Sequence, residues 1–351
     1  MKDASFEGVG GLKIHLRMWQ PDAATRGVVV IVPGFNSHSG YYTWVAEQLR
    51  SRNLSVYALD LRGRGESEGE RFYVERFADY VSDVAACVAL AKQQNPGLPV
   101  FLLGHSAGGV VACLYTLEHG AEIAGLVCES FAHQVPAPDF ALAVLKGLAH
   151  VAPHAHVLKL KNEDFSRDAQ VVAQMNADPL IAGETQPTQT VAEMVRADDR
   201  LKEAFGQIQL PVLILHGTAD KAAKPSGSQL FYDRAGSADK TLKLYEGHYH
   251  DLLNDLGKEA VILADHTAPL VRVRAPLRHR RCLSAHLSAE HASAHHPNKR
   301  VQDPWKRARS DMYQQRYPER SCRHKEPSES KRPNHLLGGD KSHRGVSAHE
   351  Q

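Results

Sequence analysis

The sequence predicts an α/β fold, a mostly parallel central sheet covered by helices, with a helical lid inserted between late strands. Two observations carry that expectation. Short, continuous apolar runs alternate with segments of helical period: GVVVIVP (27–33), LSVYALD (54–60), LPVFLLG (98–104), AGLVCES (124–130) and LPVLILHG (210–217). Such strands bury both faces, as a parallel sheet between helices requires. Second, the connection from about Ser130 to about Leu210 is far longer than the roughly two to six residues usual in such units, and DFALAVLKGLAHVA and TVAEMVRADDRLKEAF within it both read as helices. We read residues 131–205 as a lid, and 1–130 with 206–265 as the core beneath it. Another pair of core helices with a missed strand is the alternative.

The elements follow in order. GLKIHLRMW alternates apolar and polar positions after Gly10-Gly11, which predicts a short N-terminal hairpin. YYTWVAEQLRS is helical, with Trp44, Val45, Gln48 and Leu49 spaced three and four apart. Phe77, Tyr80, Val81, Val84 and Val88 give the next helix its apolar stripe, which NPG ends. DLRGRGESEGER (60–71) has the glycines of a phosphate loop without its lysine and Ser/Thr, so it reads as a turn-rich loop after a strand. DLLNDLGKEAVILAD reads as the start of a closing helix, and Pro269 and Pro276 stop it.

The 351 residues carry a net charge of only +2, which hides a split. Residues 266–351 hold 18 of the 42 Lys and Arg and 8 of the 40 Asp and Glu, a net +10, which leaves −8 for 1–265. The N-terminus has no apolar core of signal-peptide length, and no run approaches a membrane span. The five cysteines form no CxxC pair, and Cys87, Cys113 and Cys128 sit in apolar runs as reduced core residues. A cytoplasmic protein is the simplest expectation.

The most informative stretch is LPVFLLGHSAGGVVACLY, a buried strand that runs through Gly-His-Ser-Ala-Gly into a helix. In a G-x-S-x-G elbow the serine occupies a strained turn that only small neighbours tolerate, here Gly104 and Gly108. That context makes Ser106 a nucleophile rather than a simple helix cap. It also aims the N–H of Ala107, at the helix start, toward the reacting centre. A serine hydroxyl needs a base, and the base needs an acid. With the order Ser, acid, His, Asp220 after LPVLILHG is the candidate acid, a helix-capping turn residue being the alternative. The base should follow the last strand, where TLKLYEGHYHDLL offers His248 and His250. Their H-x-H spacing is also a metal pattern, but no further ligand cluster lies nearby.

SEGERFYV (67–74), PGLPVFLLGHSAGG (96–109), HGTADK (216–221) and YEGHYHDLL (245–253), in this order, resemble the monoacylglycerol lipase family of α/β-hydrolase serine esterases, over roughly residues 3 to 262. The resemblance implies the α/β-hydrolase fold and makes His250, the last residue of Y-E-G-x-x-H, the base. His248 and His105 are then read as substrate-rim residues. It also implies a second oxyanion donor, the N–H of Phe35 in VPGFNSHSGYY, where Pro33 stands in place of the family's histidine. Phe35 as a plain core aromatic is the alternative. The family's arginine in HSGRY is absent too, since this chain has HSGYY. The resemblance implies hydrolysis of an acyl ester of a small alcohol, such as a monoglyceride, through an acyl-enzyme. No metal or organic cofactor and no specific nucleic acid are expected. The oily FALAVLKGLAHVAPHAHVLKL (140–160) is read as a lid that touches lipid surfaces, its apolar face packing on the core being the alternative. A peptidase or thioesterase on the same scaffold, or a binding protein without turnover, are the rival functions. Oligomeric state stays open.

Resemblance and hydrophobic period both stop near Leu263. Residues 266–351 are rich in Arg, His, Pro and Ser and hold ten of the 21 histidines. Three readings stand: a disordered basic tail for nucleic acid or anionic lipid, a metal pair at His291 and His295, and translation outside the original reading frame. The abrupt loss of pattern inside a helix favours the last.

Overall fold

The computed structural model describes residues 1–133 and 139–263. The tail from 266 onward lies outside the described residues. The expected hairpin forms from β1 (Lys2–Glu7) and β2 (Lys13–Trp19), paired antiparallel with Phe6 opposite Ile14 and Ala4 opposite Leu16. Gly10 and Gly11 turn it at φ 76° and 78°. Then come β3 (Gly27–Val32), α1 (Thr43–Arg50), β4 (Leu54–Leu59), α2 (Phe77–Gln94), β5 (Val100–His105), α3 (Ala107–His119) and β6 (Gly125–Glu129). The stripe expected on α2 is the face it buries.

Between β6 and the next core strand lies the insertion, with α4 (Asp139–Leu148), β7 (His156–Leu158), α5 (Ala169–Ala177), β8 (Gln186–Pro187) and α6 (Thr188–Ala204). The two helices read from the sequence are α4 and α6. The third helix α5 and the antiparallel β7–β8 ribbon were not foreseen. The core resumes with β9 (Val212–Gly217), α7 (Pro225–Arg234), β10 (Lys240–Tyr245) and α8 (Lys258–Leu263). The closing helix thus begins at Lys258, seven residues after the Asp251 where its pattern starts.

Among the described residues the sheet has eight strands in the order β1-β2-β4-β3-β5-β6-β9-β10. From β4 to β10 every pairing is parallel, and β2 joins β4 antiparallel. β3 shows why its run is continuously apolar. Val28, Val30 and Val32 enter one apolar layer with residues of α2 and α3, and Val29 and Ile31 enter the opposite layer with residues of α1 and α8. The parallel arrangement brings the C-terminal ends of β5, β9 and β10 to one edge, where ligands bind in open α/β sheets. Cys87, Cys113 and Cys128 are free and buried. No helix among the described residues is long and apolar enough to cross a membrane.

Candidate active site

Ser106 sits between β5 and α3 with φ 54° and ψ −121°, a left-handed conformation that costs a non-glycine residue about 1–3 kcal/mol. The neighbours show what holds it there. A Cβ on Gly108 would lie 2.1 Å from the Val32 carbonyl oxygen, and one on Gly104 would lie 2.5 Å from that of Gly108. A Cβ on Gly34 would lie 2.8 Å from Ser106 Cβ, so the loop after β3 is pressed against the serine. The Ser106 N–H donates to the Glu129 carbonyl at 3.0 Å, and the Gly109 N–H donates to the Ser106 carbonyl at 2.9 Å.

Two side chains from distant parts of the chain line up behind that serine. Ser106 Oγ lies 2.8 Å from His250 Nε2, and His250 Nδ1 lies 2.7 Å from Asp220 Oδ2. Asp220 has a fully buried side chain and His250 is 1% exposed. The other carboxylate oxygen, Oδ1, accepts from the N–H groups of Ala222 and Ala223 at 2.8 and 2.9 Å. His216 Nε2 approaches Oδ2 at 2.9 Å, and the His216 Nδ1 side meets Ser228 Oγ at 2.7 Å. Burial alone would raise the Asp220 pKa. The charge of His250 and the hydrogen bonds of His216 and His250 outweigh it and hold the carboxyl well below the usual range.

The loops that carry Asp220 and His250 are stitched to each other. The Ala219 N–H donates to the His248 carbonyl at 3.0 Å, and the Gly247 N–H donates to Thr218 Oγ1 at 2.9 Å. A Cβ on Gly217 would strike the His248 carbonyl oxygen at 2.3 Å, so this glycine is what lets β9 end against the His250 loop. The insertion braces the loop from above. The Phe165 and His250 rings meet in a T-shaped pair with centroids 4.9 Å apart, the Phe165 carbonyl accepts the Asp251 N–H at 2.8 Å, and Arg167 pairs with Asp255 at 2.8 Å. These cap residues carry no local motif, and sequence reading missed them.

Ser106 and His250 open on a cavity of about 260 Å³. Phe35 and Ala107, the expected oxyanion donors, line it beside them. Ala107 is the first residue of α3, so its N–H has no acceptor within the helix. Leu158, Leu160 and Met194 of the insertion give the far wall an apolar surface.

Two rim expectations need correction. His105 is 0% exposed and does not line the cavity; it lies behind His250, ring centroids 5.1 Å apart, with Nδ1 2.9 Å from the Tyr42 hydroxyl. Its place as the last residue of β5, under the elbow, turns it into the core. His248 also lies off the cavity, with Nδ1 3.5 Å from Asp255 Oδ2 and its ring against Gly257. Only Tyr249 separates His248 from His250, yet the two side chains meet different partners. The 60–71 loop is a braced turn: Asp60 accepts the Ser39 and Glu66 N–H groups at 2.6 and 2.8 Å, and Gly63 and Gly65 adopt φ 70° and 52°.

Residues 23–257 match the family model described as serine aminopeptidase, S33. A monoacylglycerol lipase from Mycolicibacterium smegmatis is 34% identical over 270 residues, 76% of this chain and 96% of that protein. The monoglyceride lipase of Homo sapiens is 35% identical over 249 residues, 70% of this chain and 82% of that one. Among solved structures, the monoacylglycerol lipase of Paleococcus ferrophilus superposes with a TM-score of 0.67 at 27% identity, covering 74% of this chain and 99% of that one.

Proposed function

The chain belongs to the serine aminopeptidase S33 family and, within it, with the monoacylglycerol lipases, and from that premise we propose that it is a serine carboxylester hydrolase that cleaves monoacylglycerol-type esters. The observation that carries this reading is the unbroken line from Asp220 through His250 to Ser106 Oγ, opening on an apolar-walled cavity. His250 Nε2 takes the Ser106 proton as Oγ attacks the ester carbonyl. The resulting oxyanion is held by the N–H groups of Phe35 and Ala107. The alcohol departs with the proton from His250, leaving an acyl-serine. A water then gives its proton to His250, attacks the acyl carbon, and frees the acid as His250 returns that proton to Oγ. Asp220 keeps the proton on Nδ1 and offsets the imidazolium charge.

The charge around the cavity argues against the aminopeptidase activity that the family description includes. A free peptide amino group is a cation and needs a carboxylate to hold it. The lining offers Lys159, Lys161 and Lys221 against one carboxylate, Asp164, which already faces Lys221. A neutral glycerol ester meets no such penalty. On the cap, Val144, Leu148, Val151 and Val157 are exposed, an apolar face suited to transient contact with a lipid surface.

The test is hydrolysis of p-nitrophenyl esters, a monoacylglycerol and an aminoacyl p-nitroanilide by wild type and Ser106→Ala. Both esters turn over, the anilide does not, and Ser106→Ala loses at least about 10⁴-fold in kcat. Faster anilide cleavage would establish the peptidase. Ligand binding with equal inactivity of both proteins would establish a binding protein. The two histidines separate in the same assay: His248→Ala keeps kcat within about threefold of wild type, and His250→Ala falls by about 10⁴ or more. The reverse order would reassign the base.

A further inference from the structure

Behind the Ser106–His250 pair lies a second set of ionisable side chains that the acyl transfer does not use. His105 ends β5, Glu129 ends β6, and Asp251 follows His250; they are 0%, 0% and 4% exposed. One polar atom from each lies within 4.8 Å of the other two. Part of each side chain is committed. His105 Nδ1 meets the Tyr42 hydroxyl at 2.9 Å, Glu129 Oε1 accepts the Leu252 N–H at 2.7 Å, and Asp251 Oδ2 accepts from Asn254 Nδ2 at 2.9 Å. The other part is not. His105 Nε2, Glu129 Oε2 and Asp251 Oδ1 make no hydrogen bond of acceptable geometry, although Nε2 and Oε2 are 3.4 Å apart. Buried polar atoms left unpaired beside one another, as His105 Nε2 and Glu129 Oε2 are with Asp251 adjoining, are costly unless something bridges them.

We propose that His105, Glu129 and Asp251 bind one buried water molecule, and that Glu129, through this water and the Leu252 N–H, is a positioning residue for the loop that carries His250. The inference rests on His250 as the base. Charge favours water over a metal ion. Burial, then the charge of Asp251, pushes the Glu129 carboxyl well above its ordinary value, and burial raises Asp251. Burial, then the charge of His250, holds His105 well below its ordinary value and so neutral. A protonated Glu129 and a neutral imidazole give a water both a donor and an acceptor, and give a cation little. The charged groups that bear on the cluster from neighbouring elements are Asp220 and His216 beside and on β9, and His250 and Asp255 in the base loop.

Because Glu129 titrates higher in the folded protein, its neutral form is the stabilising one. The loop is firm at pH below that value and loosens as pH rises through it. The experiment compares wild type, Glu129→Gln and Glu129→Leu in the full chain by p-nitrophenyl ester kinetics across pH, with a crystal structure of the wild type. Glutamine retains the acceptor for Leu252 and cannot ionise, so E129Q keeps kcat near wild type and its alkaline decline moves to higher pH. E129L loses about 100-fold in kcat with KM nearly unchanged, as a misplaced base does. The crystal structure shows one water bonded to all three atoms. A metal ion there, or the three atoms paired directly with one another, overturns the proposal. So does E129L as fast as an active wild type. Should E129L fail to fold, an unshifted alkaline limb in E129Q overturns the positioning role. A wild type without esterase activity refutes the proposed function instead, and leaves the crystal structure to decide the water.

Discussion

Asp220→Asn lowers kcat for ester hydrolysis by about 10⁴-fold with little change in KM, a magnitude taken from the same substitution in another serine hydrolase. The reason lies in how the carboxylate is shared. Oδ1 accepts two backbone N–H groups, from Ala222 and Ala223, while Oδ2 faces His250 Nδ1 and His216 Nε2. In an asparagine the carbonyl oxygen stays with the two N–H groups, since the NH₂ group has nothing to accept with. The NH₂ group then points at His250 Nδ1 and demands an acceptor there. The imidazole answers by moving its proton to Nε2, where it faces Ser106 Oγ and cannot take the serine's proton. The fold survives, because every loop hydrogen bond is retained. The control is labelling by a fluorophosphonate, which needs the same base: the variant reacts slowly at Ser106 while its circular dichroism matches wild type. A variant within tenfold of wild type would mean that Asp220 does not orient His250.

The same carboxylate fixes one sign of the pH response. Its folded pKa is depressed, so the stability it contributes is present above the ordinary carboxylate range and is lost only as pH falls through the lower folded value. The acid limb of the rate profile therefore does not report Asp220.

How much of this could be read from the chain follows from where each feature gets its determinants. The elbow at Ser106 was legible because strand, small neighbours and helix start are contiguous in LPVFLLGHSAGGVVACLY. Asp220 and His250 were legible as the residues after late strands, given the strand–helix alternation. The histidines at 105 and 248 were misplaced because direction, not spacing, decides what a side chain touches, and direction is set by Tyr42, Asp255 and Gly257. The late start of α8 has a similar cause. Between Tyr249 and Leu252 three backbone N–H groups are engaged outside any helix, by Asp255, Phe165 and Glu129. A segment whose donors are committed that way does not coil, whatever its apolar period. Glu129 and Phe165 come from β6 and the insertion, so nothing near residue 250 announces them.

Arg64→Ala is the substitution with the largest expected effect on the fold, a loss of about 3–5 kcal/mol for breaking a buried ion pair on one side. Arg64 is 1% exposed in the loop after β4. Its guanidinium stacks 3.8 Å from the Phe35 ring centroid, pairs with Glu184 of the insertion, and donates to Gln186 Oε1 at 2.6 Å and to the Phe72 carbonyl at 3.2 Å. Glu184 Oε1 in turn accepts the Asn36 N–H at 2.9 Å, next to Phe35. One buried pair therefore ties the cap to the loop that carries Phe35, the proposed oxyanion donor. Alanine strands the Glu184 carboxylate in the interior, and for a domain this large the melting temperature falls by roughly 10 °C. The double variant Arg64→Met with Glu184→Leu removes both charges and regains most of that stability, since apolar pairs replace buried ion pairs well. Its kcat does not recover, because the Asn36 N–H has lost its acceptor and Phe35 its stacked cation, and the oxyanion loop is no longer held. Thermal melts and ester kinetics on the three proteins separate the two effects. Recovery of kcat along with stability in the double variant would reduce Arg64 and Glu184 to a clamp between cap and core with no bearing on the oxyanion.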